Sequence, residues 1–469
     1  MKNNLTEGSI LKSLITLSVP IIFANILQTA YQLIDTFWVG RLGSVAVAAV
    51  SISFPVIFLI ISLGGGLAVA GTILVAQYKG KEDKGAVDHI ATQTLLMVFI
   101  VASVLAAFGY FMSPLLIKLM GAEAAVFFSA VSYMKISFIG MIFVFTFMVF
   151  QSLMRGVGDV KTPLFIVLGT VFLNLIFDPL FIFGYGIIPG FGVAGAAIAT
   201  IATQGLAALV GLTLLFKGRY HIQLHLKNLK PDFLLIKDMI KLGLPASIEQ
   251  STRALGMTIM TFLVATFGTV TIAAYGIGGR ILSFIIIPAM GLSMATSALV
   301  GQNMGAGKTE RAEKIVKLSK LIGFLILTLV GVLIFLFAEA ITVLFIPGEA
   351  AVIASSTLFI KIMALSFGFI GIQMALNGAF RGSGNTMMSM ILSIVSLWVL
   401  RFPLAYILSK HTGLEEVGIW LAFPLANIMA AVIALLWFFQ GSWKKKKITE
   451  EIKLTRETTK EAIIEEGLR

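Results

Sequence analysis

The chain has no cysteine, which excludes structural disulfides and thiol chemistry. Only four histidines occur, His89, His221, His225 and His411, all near expected loops, which leaves little from which to build a zinc or haem centre. Charge is scarce too. Charged residues make up 12% of the chain against 58% apolar ones, about half the charged fraction of a soluble domain. A soluble globule of this length would lack the polar side chains to cover itself. No short apolar stretch with a small-residue cleavage site opens the chain: MKNNLTEGSILKSLITLSVP runs straight into a long apolar run, and the first helix is expected to be retained.

What the chain does have is a series of apolar runs of about 20 residues or more, each long enough to cross a hydrocarbon core of about 30 Å. The expected fold class is therefore an all-α polytopic membrane protein of twelve transmembrane helices. The spans are placed at 13–39, 46–77, 89–113, 124–153, 162–184, 192–216, 236–267, 270–304, 315–338, 350–379, 386–409 and 416–440. The net charge of +12 is an orientation signal and not a nucleic-acid surface. Of 35 lysines and arginines, 27 fall in the termini and in loops, or beside them, on one side; Arg41, Lys118 and Lys410 alone lie in loops on the other. By the positive-inside rule both termini are cytoplasmic and the number of spans is even. The expected organisation is an N-terminal lobe at 1–216, a cytoplasmic linker at 217–235, a C-terminal lobe at 236–440 and a charged cytoplasmic tail at 441–469, where Lys444 to Lys447 can touch anionic lipid.

The halves repeat. Shifted by 225 residues, Pro20 falls on Pro245, Gly43 on Gly268, Gly66 on Gly291, Gln77 on Gln302 and Gly80 on Gly305. The motif MRGVGD meets FRGSGN, with Arg155 on Arg381, and FLNLIFDPLF meets SLWVLRFPLA. Six spans per half is an even number, so the repeats run parallel about an axis along the membrane normal, an arrangement that encloses a cleft able to open alternately to each side.

Of 23 acids, only Asp35, Asp178 and Glu249 fall in the interior of a span. A carboxylate there costs about 3 kcal/mol on insertion scales, so it should face a cavity, a partner or a proton. Asp35 lies six residues before Arg41 and Asp178 six before Gly184, which puts both at one depth. Tyr31 and Asn174 stand four residues before an aspartate, on its face, and Thr200 reaches a similar level. A polar cluster of Tyr31, Asp35, Asn174, Asp178 and Thr200 follows. Two carboxyls close together in low dielectric do not both ionise readily, so the pair holds a proton or binds a sodium ion between its oxygens. The blander alternative is that Asp178 merely opens a turn at Pro179 while Asp35 bonds nearby backbone. Glu249 has Arg253 four residues on, which favours a structural ion pair over a substrate role. Arg280 and Arg401 are buried cations of the second half, expected to make a cytoplasmic- or cavity-facing hydrogen bond and to anchor a helix end, respectively, with substrate contact the less favoured alternative for both. Lys135 and Lys361 snorkel. The second half lacks the two aspartates and instead offers faces rich in methionine and phenylalanine, suited to soft lipophilic ligands.

The pattern resembles the multidrug and toxic compound extrusion (MATE) family of exporters. The resemblance is carried by VPIIFANILQTAYQLIDTFWVGRLG, LMRGVGDVKTP, NLIFDPLFIFGYG with GVAGAAIAT, LGLPASIEQ, FRGSGN and RFPLAYIL, in that order over essentially the whole chain before the tail. It implies a V-shaped fold of two six-helix pseudo-symmetric lobes that exports organic, mostly lipophilic cations in exchange for H+ or Na+. It also implies a coupling-ion site at Asp35, Tyr31, Asn174, Asp178 and Thr200, with Gln151 where the family often has asparagine and Asn377 at the equivalent place in the second half. Pro20 matches a proposed hinge of the first helix. Ala254 stands where a branch of the family has a second-lobe glutamate, so that second sodium site is expected to be absent. The competing expectation is a flippase for a lipid-linked saccharide or another amphipathic substrate. An enzyme would need an acidic metal motif or a catalytic His or Cys at the membrane surface; none is present, so neither catalysis nor a cofactor is expected beyond the coupling ion. The expected partners are small organic cations and the bilayer of the plasma membrane, with no nucleic acid and a monomer as the working unit.

Overall fold

The computed structural model describes residues 5–225, 229–446 and 448–450. Lys447 and the tail beyond residue 450, to which the sequence assigns a solvated end and lipid contact, lie outside the described residues. The helices run in chain order α1 (Ile10–Gly40), α2 (Ser44–Gly80), α3 (Lys84–Leu119), α4 (Ala124–Val157), α5 (Lys161–Phe183), α6 (Val193–Phe216), α7 (Phe233–Ala265), α8 (Thr269–Gly305), α9 (Thr309–Leu336), α10 (Ala338–Phe345), α11 (Ala350–Ala364), α12 (Phe367–Gly382), α13 (Thr386–Ile394), α14 (Phe402–Lys410), α15 (Glu415–Gln440) and α16 (Ser442–Lys445). A two-stranded turn joins α5 to α6, with Gly184 opposite Pro189 and Tyr185 opposite Ile188.

Among the described residues, ten helices are long and apolar enough to cross a membrane, and the pair α11–α12, bent by 51°, makes an eleventh span. α7 completes the twelve in order. Its 33 residues reach across a bilayer, but Lys237, Asp238, Lys241, Glu249 and Arg253 dilute its apolar character. Exposed side chains along the spans include Phe23, Phe128, Phe165, Phe172 and Leu436, surface that only lipid can cover without cost.

The repeat is visible in the backbone. α2 and α8 each span 37 residues, and each starts after a glycine in a conformation open only to glycine, Gly43 at φ 100° and Gly268 at φ 99°. The halves differ where the sequence pattern is silent. The tenth span breaks at Leu365 and Ser366, and the eleventh contains a π-helical stretch at Val395–Arg401 that the expected regular helix did not include.

By contacts the chain divides into two compact units. A first-half unit runs from Phe23 to Ser247, and a second-half unit combines Ile248–Ile448 with the chain up to Ile22. The linker expected at 217–235 falls inside the first-half unit, where Asp88 accepts from the Gln223 amide at 2.7 Å and His89 meets Asp232 at 3.0 Å. α1 and α7 each change unit within a few residues of their repeat-equivalent prolines, Pro20 and Pro245.

Candidate functional sites

In the first-half unit, small residues bring α5 and α6 together. A side chain on Gly195 would lie 2.1 Å from the Phe181 carbonyl, so only glycine permits this approach. α5 continues as helix through Pro179 to Phe183, so Asp178 does not open a turn; a proline early in the last turns removes one donor without ending the helix. Asp178 and Asn174, one turn apart, are both fully buried.

The Asn174 side-chain amide holds the two acids together. Its Nδ2 donates to Asp178 Oδ1 at 2.9 Å and to Asp35 Oδ1 at 3.0 Å, joining α5 to α1. Thr200 and the second carboxyl also reach Asp35. Two buried oxygens here, Asn174 Oδ1 and Asp178 Oδ2, have no hydrogen-bond partner. A pair of carboxyls with spare buried acceptors lacks a positive partner. It can take one in either of two forms, a proton on a carboxyl or a small hard cation held by oxygen ligands. Among the described residues no cluster of three or more His, Cys, Asp or Glu exists to hold a multivalent metal.

Tyr31, expected beside Asp35, bonds Thr203 at 2.6 Å, and Thr203 is fully buried. Thr203 was not singled out from the sequence, although it stands three residues after Thr200 on the same helix face, a spacing that could have found it. Tyr133 on α4 is a further neighbour, close enough to both aspartates to feel their charge. Gln151 is buried on α4 and makes none of the cluster's hydrogen bonds. Asn377, its repeat partner, is also fully buried, with both amide atoms unpartnered.

The second-half unit treats its buried acid differently. Glu249 accepts from Arg253 at 2.8 Å as the four-residue spacing suggests, but Arg381 of the FRGSGN motif also grips both of its oxygens, at 3.1 and 2.5 Å. Ser389 and Ser393 add hydroxyl donors at 2.9 and 3.1 Å. Arg381 reaches this point because α12 lies close on α8: side chains on Gly378 and Gly382 would run into the carbonyls of Ser293 and Ser297. The expected ion pair is thus a carboxylate held by two arginines and two serines. Arg381 lies 132 residues away in sequence, which no local spacing reveals.

Beside this cage lies a cavity of about 540 Å³ within the same unit, walled by α7, α8, α12, the π-helical stretch and α15. Arg253, Arg280 and Arg401 line it, together with Tyr275, Gln373 and Asn427. Arg401 donates to Asn427 Oδ1 at 2.7 Å and stacks over Phe423 at 4.7 Å. It stands nine residues before Lys410, the helix end it was expected to anchor, so it is a cavity residue instead. Methionines and phenylalanines are present as expected, among them Met257, Met260 and Phe359, and the stacked pair Phe359–Trp420 at 4.1 Å backs the wall.

Comparison with known proteins agrees with this architecture. The model of the family described as MatE matches residues 20–180 and again 245–407, one match in each half. A probable multidrug resistance protein YpnP of Bacillus subtilis is 31% identical over 95% of this chain and 98% of its own length. A protein of Shewanella oneidensis named FAD transporter is 26% identical over 98% of this chain and 99% of its own length. A crystal structure described as MATE in complex with MaL6 superposes with a TM-score of 0.88 at 28% identity, covering 94% of this chain and 99% of that one.

Proposed function

The chain belongs to the MatE family of multi-pass membrane transporters, and from that premise we propose that it is a secondary active antiporter, exporting organic compounds, lipophilic cations foremost, in exchange for H+ or Na+. The observation that carries this reading is the Asn174 amide spanning the carboxyls of Asp35 and Asp178, with Asn174 Oδ1 and Asp178 Oδ2 left unpartnered beside it.

The proposed cycle follows from the charge of that pair. A proton or sodium ion entering between the carboxyls cancels the charge that draws an organic cation, and the cation leaves. Loss of the ion toward the cytoplasm restores the charge, and the next substrate is attracted. The cycle requires only that the two ligands differ in affinity between two states of the transporter. Thr200 reaches Asp35, and the Tyr31–Thr203 bond ties α1 to α6 beside it. Pro20 lacks a backbone donor and lies where α1 passes between units, which suits it to a hinge. The proposal places the chain in the plasma membrane as a monomer, both termini cytoplasmic, in line with the basic excess on one side.

The test is efflux of a fluorescent organic cation from proteoliposomes under an imposed pH gradient and then an imposed sodium gradient. Stimulation by one gradient names the ion, and Asp35→Asn or Asp178→Asn abolishes it. Undiminished gradient-driven efflux by both variants overturns the assignment. One observation favours the competing flippase reading, the arginine-lined cavity of the second-half unit; a drug-resistance assay run beside a lipid-linked-saccharide translocation assay separates the two.

A further inference from the structure

We propose that the cavity of the second-half unit is a binding site for an amphipathic organic anion, its phosphate or carboxylate held by Arg280 and Arg401 and its apolar body against Tyr275, Phe359 and Phe423. The argument starts from charge. Between Ile248 and Ile448 the chain has no aspartate, and Glu249 is the one acid in the interior of a span. Four arginines, Arg253, Arg280, Arg381 and Arg401, stand against it. Glu249 is already gripped by two of them and by two serines, which leaves it no acceptor capacity for the others.

Arg280, expected to be buried and hydrogen-bonded, is instead exposed on the cavity wall and makes no hydrogen bond or ion pair among the described residues. Arg401 is held at one end by Asn427, but its Nε is buried without a partner. A cation inside a membrane span with no protein partner faces a cavity and marks the path of something that pairs with it. The three lining arginines also share a depth. Arg253 lies twelve residues before the end of α7, Arg280 eleven after the start of α8 and Arg401 nine before the end of α14, all at the end of the unit where α7 turns into α8. At about 1.5 Å per residue these levels agree to within about 5 Å.

The backbone adds a second, independent feature. The π-helical stretch Val395–Arg401 carries Ser396 and Arg401 onto the cavity wall, and such stretches interrupt helices most often at functional sites. Guanidinium groups suit planar or tetrahedral oxyanions because their N–H donors pair with two oxygens at once. Tyr275, Phe359, Phe423 and the methionines give the site an apolar wall for an apolar body, while Gln373, Asn427 and the serines and threonines beside them add neutral hydrogen-bonding groups. A compact lipophilic cation meets the charges of Arg280 and Arg401 there with no acid to offset them, Glu249 being taken up by Arg253 and Arg381, and is excluded. The site stands apart from the acid pair of the first-half unit and holds whether or not that pair couples transport.

The test is equilibrium binding of 1-naphthyl phosphate to the full chain in phosphatidylcholine nanodiscs, beside 1-naphthylmethylammonium as the matched cation. The phosphate binds and the ammonium does not; Arg280→Gln weakens binding about tenfold or more, Arg401→Gln does likewise, and Arg280→Lys restores part of it. Arg280 bonds no other described side chain, so its variant keeps the fold. Nanodiscs containing phosphatidylglycerol identify the source of the ligand: competition by the lipid assigns the site to an anionic headgroup, and its absence to a soluble compound. Equal binding of the ammonium, or phosphate binding indifferent to both arginine substitutions, overturns the proposal.

Discussion

The two halves share one scaffold but carry opposite electrostatic problems at their centres. The first-half unit joins a fully buried carboxyl, Asp178, to a half-buried one, Asp35, through one amide and leaves two oxygens unpartnered. The second-half unit buries one carboxylate inside two guanidiniums and two hydroxyls. The repeat-equivalent arginines show the same contrast: Arg381 holds Glu249, whereas Arg155 donates to Ser152 at 3.0 Å and pairs with no acid among the described residues. A buried charge is therefore not by itself a sign of ion exchange. What separates an exchangeable site from a structural one is whether the protein already supplies the countercharge.

The largest effect that would sharpen this contrast is at Glu249. Glu249→Gln leaves Arg253 and Arg381, whose side chains are 23% and 16% exposed, side by side without their acid, at an expected cost of about 3 kcal/mol. The loss reads out as a large fall in thermal unfolding temperature in detergent, and adding Arg253→Gln recovers part of it. A melting curve for Glu249→Gln superimposable on that of the unaltered chain would break the comparison, because the cage would then be dispensable.

Next in size is the opposite behaviour expected of the acid pair. Asp178→Asn removes one of two like charges and supplies a donor near an orphaned oxygen, so the variant loses less than about 1 kcal/mol, or gains stability, while gradient-driven efflux is lost. Stability and coupling thus separate at Asp178 and fall together at Glu249. A melting temperature lowered as far by Asp178→Asn as by Glu249→Gln would erase the distinction between the two regions.

Much of this layout was legible in the sequence because membrane spans are written locally. Apolar runs, the 225-residue repeat and the four-residue pairs Asn174–Asp178 and Glu249–Arg253 all depend on neighbours along one helix. What was not legible depends on helices meeting. Arg381 and Glu249 are far apart in sequence, and so are Arg401 and Asn427; only packing makes them partners. The break at Ser366 has no proline to announce it, and the glycine nearest to it, Gly368, already lies inside α12. Its hydroxyl receives Asn427 Nδ2 at 2.9 Å, a contact from another span. The choice of Thr200 over Thr203 illustrates the same limit. Both face one way on α6, and the Tyr31 hydroxyl, from α1, selects Thr203 as its own partner while Thr200 turns to Asp35.

The smallest expected effects test how far the first-half cluster extends. Tyr31→Phe removes the bond between α1 and Thr203, and Thr203→Val removes that bond together with the hydroxyl's contacts to the Ala199 and Thr200 carbonyls; side-chain hydrogen bonds between membrane helices are worth about 0.6 kcal/mol on average. Each variant should therefore melt only slightly lower, and the double variant no lower than Thr203→Val alone, since the interhelical bond is already lost there. Gln151→Ala, which removes no bond of the cluster, should leave the ion concentration for half-maximal efflux where it was. Tyr31→Phe should shift that concentration severalfold by loosening α1 around Asp35. If Gln151→Ala shifts it as much, the coupling site reaches across to α4, and its boundary must be drawn around Gln151 and Tyr133 instead of ending at α1, α5 and α6.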